Sequence, residues 1–153
     1  MSIDLKKALK YCQKDLEKEW TNLDFEYSTN GKDKLTITAN VTLGDLDDDI
    51  RIIIDCNSSG GFECRAVFDK LDKTDEVLYL VNKFNEDKLF FKLFVREDNY
   101  LELSHFFICY NEKTFKDYAT EFLLRLLQLR EDEIILRLTS ITREELEEDK
   151  GTY

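Results

Sequence analysis

Residues 34–43 alternate without a break, with Leu35, Ile37, Ala39, Val41 and Leu43 on one side and Thr36, Thr38, Asn40 and Thr42 on the other. Side chains of a strand point alternately to its two faces, so this run predicts a strand with one face in a core and one toward water. Such a strand needs neighbours, and the flanking sequence supplies them. A short strand is expected at 24–27, and Asn30-Gly31 offers the positive-φ positions of a tight turn. Residues 44–48 turn the chain again, and 49–56 repeat the period with Ile50, Ile52, Ile54 and Cys56 inward. Phe62, Cys64, Ala66 and Phe68 do the same after Gly60-Gly61, which completes an antiparallel meander.

The period changes on both sides of the meander. Leu5, Ala8, Leu9, Cys12, Leu16 and Trp20 recur at three- and four-residue steps, the stripe of an amphipathic first helix. Asp72 or Thr74 is placed to cap a second helix through Asn85, which carries Val77, Leu78, Leu80, Val81 and Phe84. Residues 89–96 and 100–109 then read as a hairpin around Glu97-Asp98-Asn99, with Leu93 facing Leu103 and Val95 facing Leu101. From Glu112 onward, Phe115, Tyr118, Ala119, Phe122, Leu123, Leu126 and Leu129 mark a long last helix. Residues 134–138 are expected to be a final apolar turn or strand, and 142–153 an acidic helix or tail. With no proline and only five glycines, no linker composition divides the chain, so 1–141 is expected to be one α+β domain.

Composition excludes several functions. Thirty-three acidic residues against 22 basic ones give a net charge of −11, the wrong sign for displacing counterions from nucleic acid or for coating an anionic membrane. The segment 1–7 lacks the apolar stretch of a secretory signal, and cytoplasmic residence is the expectation. Four cysteines without CxxC spacing fit reduced, buried thiols; a Cys56–Cys64 bridge across the 57–61 turn is the alternative weighed against that.

Within 78–127, the segment Leu80-Val81-Asn82-Lys83-Phe84-Asn85 leads into the strands 90–95 and 100–103 and then the long helix. The step Asn82, Phe84, Asn85 in this setting resembles the YbjN-like family, whose fold is similar to the type III secretion chaperones. The resemblance implies helices packed on one face of an antiparallel sheet, in the order α-β-β-β-β-α-β-β-α, and a homodimeric binding module without catalytic residues. The acidic turn 45–49 and the acidic tail depart from the family pattern. Asn82 and Asn85 read as structural, because the end of a helix needs residues that accept the αL conformation or bond free carbonyls.

No constellation that performs chemistry stands out. His105 is the only histidine, and the hairpin register places it beside Phe91 on the core face. The acidic turn 45–49 lacks the spacing and closing Glu of a calcium loop, and Ser58-Ser59-Gly60-Gly61 lacks the Lys and the helix of a phosphate loop. No catalytic residue, metal site or cofactor is expected. What remains is the other face of the second hairpin, where the register gathers Phe90, Phe94, Tyr100, Phe106 and Ile108. Either a helix buries this face within the monomer, or it is a protein contact with Lys92, Arg96 and Glu102 as its polar rim. The function expected is therefore a non-enzymatic protein-binding module, homodimeric and chaperone-like or regulatory. The alternative is an acidic inhibitor or immunity-type protein that occupies a basic site of its partner.

Overall fold

The computed structural model describes residues 3–30, 33–42 and 49–151, with side chains described for all of these except 49 and 143–151. The expected turns at Asn30-Gly31 and 44–48, and the acidic stretch 45–49, therefore fall wholly or partly outside the described residues. The chain is α+β, with one open six-stranded antiparallel sheet in the order β1-β2-β3-β4-β6-β5. The strands are β1 (Glu26–Asn30), β2 (Lys34–Thr42), β3 (Asp49–Asn57), β4 (Gly61–Lys70), β5 (Lys92–Val95) and β6 (Tyr100–Ile108).

The alternation read in the sequence sets which face is buried. Leu35, Ile37, Ala39 and Val41 of β2, Ile50, Ile52, Ile54 and Cys56 of β3, and Phe62, Cys64, Ala66 and Phe68 of β4 all lie in the core. The β3–β4 turn is closed by Asn57, whose Oδ1 accepts from Gly61 N–H (3.0 Å) and Ser59 Oγ (2.6 Å). Gly60 sits at φ +95°, and a Cβ there would lie 2.3 Å from the Cys109 carbonyl oxygen, so only glycine fits. Asn57, not an anion, thus takes up the N–H groups of this loop.

The first helix begins as α1 (Leu5–Tyr11), with Asp4 accepting from Lys6 and Lys7 N–H at its N-terminus. It passes through a π-helical stretch (Cys12–Leu16) into a last turn, α2 (Glu17–Glu19). Leu5, Ala8, Cys12 and Leu16 are buried from it, and the wider π turn keeps the four-residue steps on one side. Helix α3 (Asp75–Asp87) starts where expected, with Thr74 Oγ1 accepting from Val77 N–H at 3.2 Å, but runs two residues beyond Asn85. Asn85 consequently does not cap a helix end. Its side chain bonds both backbone groups of Leu93, N–H to Oδ1 and Nδ2 to the carbonyl, each at 2.8 Å, as a neighbouring strand would.

After β6, α4 (Phe115–Gln128) lays Phe115, Ala119, Phe122, Leu123 and Leu126 on the core, Phe122 edge-on to Phe91 and Phe115 tilted against Phe62. A 3-10 turn (Leu129–Glu131) leads to α5 (Glu133–Gly151), whose N-terminus is held by Asp132 Oδ1 accepting from Ile134 and Ile135 N–H, each at 3.0 Å. The expected last turn or strand at 134–138 and the separate tail from 142 are instead one helix. Ile135, Leu138 and Ile141 are buried on it, as are Thr139 and Thr142, whose hydroxyls donate to the Ile135 and Thr139 carbonyls. Those bonds remove the cost of burying a hydroxyl, which is why the hydrophobic pattern alone broke off too early.

Candidate protein-contact face and edge

The β5–β6 register is the expected one, with Leu93 opposite Leu103 and Val95 opposite Leu101. Phe94 therefore pairs with Glu102, and Tyr100, Glu102, Ser104, Phe106 and Ile108 share the outer face of β6, away from the helices. The five candidate residues divide into three places. Phe94 and Tyr100 are half-buried at one end, with Lys92 Nζ 5.5 Å from the Phe94 ring centroid and Lys70 Nζ 5.0 Å from that of Tyr100. Phe106 and Ile108 stand at the other end, 60% and 53% exposed. Phe90 is not on this face at all.

The correction for Phe90 has a local cause. Strand β5 begins only at Lys92, because residues 88–91 bend toward the helices instead of continuing along β6. Phe90 then stacks parallel on His105 with centroids 3.9 Å apart, touches Phe107, and lies under the Arg125 guanidinium of α4 at 4.4 Å. His105 is on the helix side as expected, half-buried, with Nδ1 bonded to the Phe90 carbonyl. Leu89, which alternation with Phe91 and Leu93 in a strand from 89 would turn inward, is 94% exposed.

Between the two aromatic ends lies a charged centre that hydrophobic spacing did not foretell. Glu102 is 3% exposed on a face otherwise open to water, with Arg96 at 3.6 Å and Arg65 at 4.0 Å. Burial pushes its carboxyl above the ordinary range, against the pull of the two guanidinium groups. Arg65 also pairs with Asp55 at 2.9 Å, and Thr36 Oγ1 donates to the same carboxylate at 2.6 Å. The middle of the outer face is thus closed by its own ion pairs, and what it leaves open is the Phe106 end.

At that end β6 lies at the margin of the sheet, since β5 pairs with it only as far as Ser104. Among the described residues no strand lies outside residues 105–108. Phe106 lies across Gly61, its Cζ 3.1 Å from where a Cβ would stand, so a side chain on β4 would displace it. Tyr110, 67% exposed, follows two residues past the end of the strand. Sequence reading missed it, although the alternation Phe106, Ile108, Tyr110 was there to be read.

A cleft of about 790 Å³ opens on the helix side of the sheet, between the end of α3, residues 88–91 and the α4–α5 connection. Phe84, Phe90, Phe91, Leu129 and Ile134 form its apolar part. Among the described residues no three of His, Cys, Asp and Glu converge as metal ligands. The four cysteines are free and buried, and burial raises the Cys12 and Cys56 thiols to about 12. Cys56 pairs with Phe62 and Cys64 with Ile54, so the two are offset along the hairpin and are not joined. No helix of the described residues is long and apolar enough to cross a membrane. Taken together, fold and surface define a small α+β domain with an apolar, unpaired sheet corner. Comparison with protein-family models, with curated proteins and with solved structures returns no match to this chain.

Proposed function

We propose that this chain is a non-enzymatic protein-binding module that acts through the outer sheet corner at Phe106, Ile108 and Tyr110, and that it works as a homodimer. The observation that carries the reading is the coincidence of exposed apolar side chains with an unpaired strand edge at 105–108. With about 150–250 Å² on each aromatic, the three side chains expose roughly 350 Å² of apolar surface, the size of patch that marks contact sites on monomers. Two such patches supply roughly 700 Å², the apolar centre of an interface to which the paired strand edges add.

The edge is suited to pairing with itself. Antiparallel pairing centred on Phe107 places Phe106 opposite the partner's Ile108, an aromatic against a β-branched side chain, on both sides of the axis. The reading includes a type III secretion chaperone-like fold related to the YbjN-like family, to which α5 beyond residue 141 is an addition, and a place in the cytoplasm, which the four free thiols support. The test is light scattering over a concentration series with the wild-type chain, Ile108→Lys and Phe106→Asp, far-UV circular dichroism reporting the fold. The reading expects a wild-type dimer that both variants dissociate while staying folded. A wild-type chain that remains monomeric, or a dimer indifferent to both changes, refutes it.

A further inference from the structure

The cleft between α3, residues 88–91 and the α4–α5 connection carries a charge pattern that its own residues leave uncompensated. Its two cations are already engaged, Lys88 with Asp132 at 3.6 Å and Arg125 with Glu121 at 3.1 Å. The carboxylates of Asp87, Glu131 and Glu133, which also line it, pair with no lysine or arginine among the described residues. Asp87 sits in the last turn of α3, which holds no basic residue, so its charge adds to the negative end of the helix dipole. The N-terminus of α5 offers no counterweight, since Asp132 already takes its free N–H groups. A cation placed at this rim meets carboxylates that have no ion-pair partner of their own among the described residues.

Beneath the rim the surface is apolar: Phe84 and Leu129 are buried in the floor, Phe90 is half-buried, and Leu89 stands in water beside them. Phe90 also touches His105 and Phe107 on the helix side of β6, so the apolar surface continues from the cleft along that side of the strand. A small organic amine covers only part of such a path; an extended chain covers it. From the charge complementarity and this continuity we infer that the cleft receives a segment of a partner protein in which a lysine or arginine lies beside a leucine- or phenylalanine-sized residue. The volume suits a few side chains. This inference rests on the protein-binding reading and adds to it the chemistry of the partner.

The test is fluorescence anisotropy with a short labelled peptide alternating leucine and lysine, its glutamate counterpart, and free phenethylammonium as competitor. Binding of the lysine peptide and not of the glutamate peptide is expected. It should weaken about tenfold or more in the triple variant Asp87→Asn, Glu131→Gln, Glu133→Gln, and clearly in Leu89→Ser, which removes only an exposed side chain. The triple variant Asp24→Asn, Glu26→Gln, Glu97→Gln makes the same change in net charge elsewhere and should stay within about twofold. Absence of binding to the wild-type chain, equal loss in the two triple variants, or displacement by phenethylammonium at the peptide's own concentration overturns the inference. None of these outcomes alters the light-scattering result for Ile108→Lys, on which the binding-module reading separately stands or falls.

Discussion

Asn85 offers the sharpest separation between the motif as read and the motif as built. Its amide makes two bonds of 2.8 Å with Leu93, whose side chain and backbone lie in the core at 1% exposure. Asn85→Ala removes both partners at once. A neutral hydrogen bond is worth about 0.5–1.5 kcal/mol net, and a buried group left without a partner costs about 1–3 kcal/mol. Water entering the space vacated by the amide recovers part of that, so the expected loss is about 2 kcal/mol. For a domain of this size that corresponds to a fall in Tm of about 4–8 °C. Asn82, three residues earlier on the same helix, is exposed and should tolerate alanine within about 0.5 kcal/mol. Asn85→Asp keeps the acceptor for Leu93 N–H but sets a carboxylate oxygen against the Leu93 carbonyl, and should be at least as damaging as alanine. Urea denaturation of the three variants decides the matter. Equal stability of the Asn82 and Asn85 alanine variants would refute the strand-mimic role.

Two further predictions test the turn and the charged centre. Gly60→Ala should cost about 2–4 kcal/mol in urea denaturation, because its Cβ meets the Cys109 carbonyl at 2.3 Å while the backbone is held at φ +95°. Gly61→Ala, which meets chiefly the movable tip of Phe106, should cost less. For Glu102, burial raises the native pKa above the ordinary 4.5, so the native state holds a proton that the unfolded state releases first. Stability should therefore decline as pH rises from 4.5 through the native pKa, and Glu102→Gln should flatten that decline in denaturation measured across acid and neutral pH.

The sheet was legible because one face of each strand is dry and the other wet, which imprints a period of two on residues 34–68 and fixed the β5–β6 register as well. Phe90 was not, because the register argument presumes that a strand continues; the bend at 88–91 depends on where α3 ends and on Arg125 and His105, contacts distant in sequence. Helix α5 was misjudged for a different reason. Thr139 and Thr142 look like surface residues until their hydroxyls are seen to bond carbonyls of their own helix. The burial of Glu102 was equally hidden, since it depends on Arg65 of β4 and Arg96, just past β5, converging on it.

The treatment of the sheet's margins bears most directly on function. Open edges invite unwanted pairing, and native sheets blunt them with charge, proline, bulges or cover. Here β1 is blunted by exposed Glu26, Ser28, Thr29 and Asn30, and β5 by the Asn85 amide bonded to Leu93. The irregularity in register falls between Val67 and Lys70, within the β4–β6 pairing and far from the free end, and the chain contains no proline. Among the described sheet margins, only the end of β6 leaves apolar side chains uncovered, Phe106 and Ile108, a liability that makes sense if a partner covers them in use. The contrast is testable with one lysine at each margin. Ser28→Lys on β1 and Ile108→Lys on β6 alter net charge equally at exposed outer-face positions. Light scattering should show association unchanged in the first and lost in the second; loss in both would assign the effect to general charge and refute a docking edge on β6.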